Sequence, residues 1–152
     1  MGVVGSPYGL KKIVLPQKSK KAVLDQIAGC GPESQGTVCF GDLPDRLKRY
    51  LHGELVVFND KLDLAGTTCF QQSVWQAACN IPYGETRSYG WVARQLGLPK
   101  AARAVGQALA RNPLPILIPC HRVIGSNGNL VGFGGGMKMK DFLLHLEQTT
   151  VN

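Results

Sequence analysis

The densest chemistry in the chain lies in NPLPILIPCHRV, residues 112–123, where Cys120, His121 and Arg122 follow one another. The thiolate, not the thiol, is the nucleophile of a cysteine, and it forms more readily beside positive charge or the free N–H groups of a helix start. His121 titrates near neutrality and Arg122 is a permanent cation, so Cys120 has a base and a charge at hand. A Cys-His dipeptide by itself is common and ordinarily means a buried thiol next to a surface imidazole. The proline frame makes this one more specific. Residues 116–118 (Ile-Leu-Ile) read as a short buried strand, and Pro119 ends it with Cys120 at the rim of the core.

The elements upstream have to position that run. A helix is predicted from Thr67 or Thr68, as its cap, to about Cys79, with Phe70, Val74, Ala77 and Ala78 facing inward. Pro82-Tyr83-Gly84 is a turn. Ser88 caps a second helix over 89–96, which Gly97-Leu98-Pro99 stops. A third helix spans about 100–110 and ends at Asn112-Pro113, because a residue before proline is pushed out of helical geometry. Two helices across a short Gly-containing turn make a helix-turn-helix pattern, which any compact helical protein can contain.

The composition of the third helix is more telling. Among Ala102, Gly106 and other small residues, Arg103 and Gln107 stand nearly alone as long polar side chains. Reading base edges in the major groove takes several Arg, Asn or Gln side chains. A slim helix with one projecting Arg suits the narrow minor groove and contact that ignores sequence. The competing meaning of its Ala face is close packing on a neighbouring helix.

Charge favours a polyanionic partner. The 152 residues hold 17 Lys and Arg against 10 Asp and Glu, a formal charge of +7. No acid occurs between Glu85 and Asp141, whereas Arg87, Arg94, Lys100, Arg103, Arg111, Arg122, Lys138 and Lys140 all do. Nucleic acid fits that stretch better than a balanced solvated face does.

The first 65 residues mix β-like runs at 12–15 and 55–58 with helical stretches at 18–28 and 43–52, where Leu47 and Leu51 share a face. Residues 29–37 read as a loop, and the first five offer only a stub of a strand. Apolar residues at 44% can bury a core, yet no run approaches the roughly 20 residues needed to cross a bilayer. No basic-then-apolar leader opens the chain, so the cytoplasm is its expected place. Five cysteines leave at least one thiol free, and none is spaced C-x-x-C. Most of them are expected to be small buried apolar groups, with Cys120 set apart. Trp75, Trp91, Phe70, Phe142, Leu143 and Leu146 read as core.

The motif IPCHRV, with NPLPI ahead of it and GNLVGFGGGMKMKDFLLHLE behind, closely resembles the O6-alkylguanine-DNA alkyltransferases, or methylated-DNA–protein-cysteine methyltransferases. IPYGETRSYGWVA and ARAVGQALARNP extend the resemblance, which runs from about Phe70 to Glu147 without a gap. The residues before 66 match only loosely, as the family's variable N-terminal domain. The resemblance implies a small α/β N-terminal domain over 1–66, with a short antiparallel sheet and helix. A mainly α DNA-binding and alkyl-acceptor domain over 67–152, with a winged-helix-like helix-turn-helix, would follow it.

It also implies DNA repair by direct, stoichiometric transfer of an alkyl group from O6-alkylguanine, with O4-alkylthymine as a second candidate substrate, to Cys120. Each molecule would act once. By resemblance His121 takes the cysteine proton through a water, Glu147 orients that imidazole, and Tyr89 donates a proton toward guanine N3. Arg103 is the finger that fills the space of the flipped nucleotide, and Asn112 joins the recognition helix to the active-site strand. Ala102, Gly106, Gln107 and Arg122 are placed along the DNA, while Phe133, Gly134 and Gly135 form the substrate pocket. The implied partner is double-stranded DNA, bound through the minor groove by a monomer without a cofactor, in the cytoplasm or a eukaryotic nucleus.

Two departures stand out. Phe133-Gly134 replaces the Tyr-Ser of many relatives, so a hydroxyl near the guanine oxygen is missing and the Gly134 or Gly135 N–H is the candidate substitute. Cys30, Cys39, His52 and Cys69 do not reproduce the zinc ligands that some relatives have, so no metal is expected. The rivals are a non-catalytic DNA-binding regulator, which would not need Cys120, His121 and Glu147 together, and a multiple-turnover cysteine hydrolase, which would not need the basic helix.

Overall fold

The computed structural model describes residues 1–28 and 40–151; the loop expected at 29–37, Cys30 and Cys39 lie outside them. Strand β1 (Gly2–Ser6) pairs antiparallel with β2 (Gly9–Val14) about the turn Pro7-Tyr8. The stub expected at the start is thus a full strand. Two of its glycines sit where neighbouring side chains come close. A Cβ on Gly2 would fall 2.6 Å from Ile27 and one on Gly5 2.6 Å from Phe40. Leu10 exchanges backbone hydrogen bonds of 2.8 Å with Lys61 and Asp63, so the 61–63 segment runs along the hairpin. Gly9, at φ 145°, leaves room for the Lys61 carbonyl.

Helix α1 (Lys20–Ile27) is capped by the Ser19 hydroxyl, and α2 (Leu43–Leu51) buries Leu43, Leu47 and Tyr50 along one face. Residues 55–58 alternate as a strand would, with Leu55 and Val57 outward and Val56 and Phe58 against the core, but no second strand pairs with them among the described residues. The expected strand is therefore an unpaired extended segment.

Helix α3 (Cys69–Cys79) opens with a capping box in which the Thr68 hydroxyl accepts from the Gln71 N–H and the Gln71 side chain accepts from Thr68. Cys69 and Cys79, expected inside, lie exposed at its two ends. Ser88 ends the short strand β3 (Arg87–Ser88) and caps α4 (Tyr89–Gln95). Gly97, at φ 71°, lets the Leu98 N–H fold back to the Ala93 carbonyl and stops the helix. Helix α5 (Ala102–Ala110) then packs on α3 and α4, fixed by Trp75 Nε1 donating to the Ala108 carbonyl at 3.0 Å.

Residues 116–118 were expected as a strand and instead form a turn: the Ile118 N–H bonds the Leu114 carbonyl, and Ile116 has φ 79°. Three closely spaced prolines remove the donors a ladder needs. A β-branched residue with positive φ is strained backbone, held here by the burial of Ile116 itself and of Leu114 and Ile118 on either side. The turn delivers Cys120 to a 3-10 helical turn (Cys120–Arg122), and β4 (Val123–Ile124) pairs parallel to β3. The last helix, α6 (Met137–Val151), buries Lys140, Leu143, Leu144 and Glu147; Phe142, expected in the core, points outward at 47% exposure.

One apolar core runs from Leu10 and Ile13 through Leu47 and Trp75 to Leu143. The hairpin reaches the neighbourhood of Cys120 directly, since the Ile13 N–H donates to the Pro113 carbonyl at 2.8 Å. No helix among the described residues is long and apolar enough to cross a membrane.

Candidate active site

Cys120, 7% exposed, lines a cleft of about 170 Å³ together with Ile13, Leu15, Asn112, Phe133, Gly134 and Gly135. Asn112 Nδ2 donates to the Cys120 sulfur at 3.0 Å and to the Ile118 carbonyl at 2.8 Å, and its Oδ1 accepts from the Leu114 N–H at 2.9 Å. A residue that follows the last turn of α5 thereby holds both the sulfur and the strained turn. Burial pushes the Cys120 thiol up to about 11, although the Asn112 hydrogen bond and the Lys140 charge pull the other way. The activation expected from neighbouring cations is outweighed by desolvation, and the resting group is a thiol.

His121 and Glu147 are both sealed from solvent, with His121 Nε2 2.8 Å from Glu147 Oε1. Burial raises the Glu147 carboxyl, but hydrogen bonds from His121 and Arg122 overcome it and hold the group at about 2. Burial also lowers His121, and Glu147 only partly restores it. A neutral imidazole facing a carboxylate must carry its hydrogen on Nε2. His121 Nδ1 is buried with no hydrogen-bond partner among the described residues, so its lone pair is the free base on the ring.

Arg122, expected along the DNA, turns inward. Its Nε and one terminal nitrogen grip the two Glu147 oxygens at 2.9 Å each, and the other donates to the Ile81 carbonyl at 2.8 Å. With Glu147 buried beneath the site, this fork supplies a permanent counter-ion for its charge. The Gly84 N–H adds a bond of 3.0 Å to the same carboxylate.

Tyr89, at the start of α4, donates to the Val131 carbonyl at 2.8 Å. Lys140, one of the cations of the acid-free stretch and expected on a basic surface, is wholly buried. It donates to the carbonyls of Val123 at 2.6 Å and Val131 at 2.9 Å, and reaches the Tyr89 hydroxyl at 3.5 Å. Tyr50 was also missed: its hydroxyl donates to Glu147 Oε1 at 2.6 Å. Periodicity held the signal for both. Lys140, Leu143, Leu144 and Glu147 share one helical face, as do Leu43, Leu47 and Tyr50.

On α5 the exposed face is Arg103, Ala104, Gln107 and Ala110, with Ala102 and Gly106 half-buried. Arg103 has no hydrogen-bond or ion-pair partner among the described residues. A Cβ on Gly106 would make ordinary contact with the Tyr89 ring at 3.6 Å. In the loop, Gly135 has no room for a side chain, since a Cβ would meet Leu15 at 2.6 Å, whereas Gly134 faces open space. Of the set weighed for zinc, His52 Nδ1 lies 2.7 Å from the Lys48 carbonyl. Among the described residues no three His, Cys, Asp or Glu side chains are grouped to hold a metal ion.

A thiol tied to the end of a helix-turn-helix, with an imidazole and carboxylate behind it, defines a class of protein in which a cysteine nucleophile is mounted on a nucleic-acid-binding unit. The comparisons narrow the class. Residues 69–149 match the family model for 6-O-methylguanine DNA methyltransferase, DNA binding domain, and the chain belongs to that family. A methylated-DNA–protein-cysteine methyltransferase of Mycobacterium leprae is 56% identical over 112 residues, 74% of this chain and 67% of its own length. One from Methanosarcina mazei is 43% identical over 149 residues, 98% of this chain and 90% of the relative. The crystal structure of Mycobacterium tuberculosis OGT in complex with DNA superposes with a TM-score of 0.76 at 43% identity, covering 97% of this chain and 92% of that one.

Proposed function

We propose that the chain repairs DNA by moving an alkyl group from the O6 oxygen of guanine onto its own Cys120 sulfur, once per molecule. The observation that carries this reading is the 3.0 Å hydrogen bond from Asn112 to Cys120, which couples the end of α5 to the nucleophile. The family, and a relative of similar structure described in complex with DNA, support the same reading.

In the proposed reaction His121 Nδ1 takes the thiol proton through a water. The sulfur attacks the alkyl carbon in line, the carbon–oxygen bond breaks, and its electron pair passes to the guanine. Tyr89 leaves the Val131 carbonyl and gives its proton to guanine N3, so that a neutral base departs rather than an anion in a poorly solvated pocket. The product is a thioether. It has no carbonyl for water to attack, and nothing regenerates the thiol.

The alkylated nucleotide must leave the duplex to reach a buried sulfur that lines a cleft. Arg103 is free to fill the vacated space, and the small residues of α5 permit close approach to the minor groove without reading sequence. The assignment keeps residues 1–66 as the N-terminal unit and 67–152 as the DNA-binding and acceptor unit. The protein acts as a monomer, where DNA is: the cytoplasm, or the nucleus in a eukaryote.

The test is to mix the protein with O6-benzylguanine and weigh it. One stable benzyl adduct, located on Cys120 and absent from Cys120→Ser, is expected. Repeated turnover or no adduct overturns the reading.

A further inference from the structure

The Tyr50 hydroxyl enters the His121–Glu147 pair from α2, on the N-terminal side of the chain. Its oxygen is 2.6 Å from Glu147 Oε1 and 3.2 Å from His121 Nε2, in a position 1% exposed. The ring is held edge-on between Phe58 at 5.9 Å and Tyr83 at 6.1 Å, so the hydroxyl has one orientation available. A phenol has one hydrogen to give. The shorter bond goes to the carboxylate, so Nε2 meets only a lone pair of the phenol oxygen. Both oxygens around Nε2 are then acceptors, and the ring is confined to the Nε2–H form with Nδ1 bare.

We infer that Tyr50 is a positioning residue of the relay: by donating to Glu147 it limits how strongly the carboxylate holds a proton on His121, and so keeps Nδ1 available to the Cys120 thiol. The inference rests on the alkyl-transfer reading above. Among the described residues the charged groups that act on His121 are Glu147 and Lys140 from α6 and Arg122 beside it in the chain, with the Cys120 thiol on its other side and the Tyr83 phenol packed next to Tyr50. None of them replaces the phenol. Arg122 and the Gly84 N–H already use their donors on the carboxylate, and Lys140 is bonded to two carbonyls.

Removing the hydroxyl deletes a strong donor to Glu147 and a weaker acceptor for Nε2–H. The shorter bond dominates, so the carboxylate becomes more basic and the imidazolium is favoured. In Tyr50→Phe, which keeps the ring packing, the His121 titration midpoint should rise by about half a pH unit, read by NMR of the ring nitrogens in the free protein. The acid limb of the single-turnover transfer rate should move the same way, with affinity for duplex DNA unchanged. A purely structural role would leave the midpoint and the acid limb in place.

A ring-fluorinated tyrosine at position 50 supplies the opposite sign, because a more acidic phenol donates more strongly; the midpoint should fall. This variant also serves if Tyr50→Phe does not fold. A midpoint that stays put, or moves against these signs, overturns the inference. If the unsubstituted protein forms no adduct on Cys120, the alkyl-transfer reading fails instead, and the two failures are distinct.

Discussion

The Lys140 ammonium and the Tyr89 phenol share one acceptor, the Val131 carbonyl, at 2.9 and 2.8 Å. This joins the last helix, the first residue of α4 and the loop leading to Phe133. Burial lowers Lys140, and the nearby sulfur raises it; burial and that sulfur both raise Tyr89. The ammonium is therefore placed where it favours charge on Cys120 and can hold Val131 when the phenol turns to a substrate.

Lys140→Met should test that placement. The Val123 carbonyl loses its donor, which costs about 1–3 kcal/mol, while Val131 keeps the Tyr89 hydroxyl; the cost is partly offset by no longer burying a cation. The Cys120 thiol should titrate higher still, and transfer from a duplex substrate should slow by about ten-fold or more. Thermal melting and single-turnover kinetics give the two readouts. Unchanged transfer would mean that the ammonium is only structural.

The resting thiol makes its own prediction. With Cys120 at about 11, iodoacetamide at neutral pH should label exposed Cys69 well before Cys120, as resolved by peptide mass spectrometry. A folded-state value above the ordinary thiol value of 9.0 gives stability that is full below the ordinary value and lost as pH rises toward about 11. Melting temperature should fall on that alkaline limb, and the part due to this group should vanish in Cys120→Ser.

On the acid side two groups act in the same direction. His121 lies below its usual 6.5 and Glu147 at about 2 instead of 4.5. Each contributes stability that is complete above its unfolded value and disappears as pH drops through its folded value. Stability should begin to fall near pH 6.5 as the unfolded chain takes up the imidazole proton. It should fall again between about pH 4.5 and 2 as the carboxylate is titrated. Denaturant midpoints across this range check it. Glu147→Gln should flatten the lower limb while destabilising the protein at pH 7, because Arg122 is left without its counter-ion.

Arg103→Ala separates DNA handling from chemistry. The side chain is exposed and has no partner among the described residues, so stability should change by no more than about 0.5 kcal/mol. Transfer from a duplex should drop about ten-fold or more, whereas transfer from free O6-benzylguanine should be unaffected, since no nucleotide has to be flipped. Equal losses on both substrates would place Arg103 in the chemistry itself.

The helical order from α3 to α5 was legible because caps and breakers act locally: Thr68, Ser88, Gly97 and the Asn112-Pro113 pair each fix an end through their own hydrogen bonds or φ. The 116–118 turn was not. A buried apolar run looks the same whether it pairs with a strand or folds around a strained Ile116, and only the tertiary packing decides. Arg122 and Lys140 were misassigned for a related reason. Composition reports charge but not direction, and both cations point at buried acceptors that lie 25 residues or more away or on another element. Tyr50 reaches the site across 97 residues of sequence, a pairing with no local signature beyond its place on the buried face of α2.

Methylation of Cys120 should weaken the fold. The sulfur is in hydrogen-bond contact with Asn112 Nδ2 at 3.0 Å, so a methyl group on it has either to enter the cleft toward Phe133 or to push the carboxamide away. Asn112 cannot yield freely, because the same side chain bonds the Ile118 carbonyl and the Leu114 N–H and so braces the turn that contains the strained Ile116. Overpacking of this kind costs roughly 1–3 kcal/mol, about 2–12 °C in melting temperature for a chain of this size. Calorimetry before and after stoichiometric reaction with O6-methylguanine in a duplex measures it, with Cys120→Ser exposed to the same DNA as the control. A methylated protein that melts at or above the temperature of the free thiol form would show that the cleft takes up the alkyl group without strain, and that Asn112 does not pass the change on to α5.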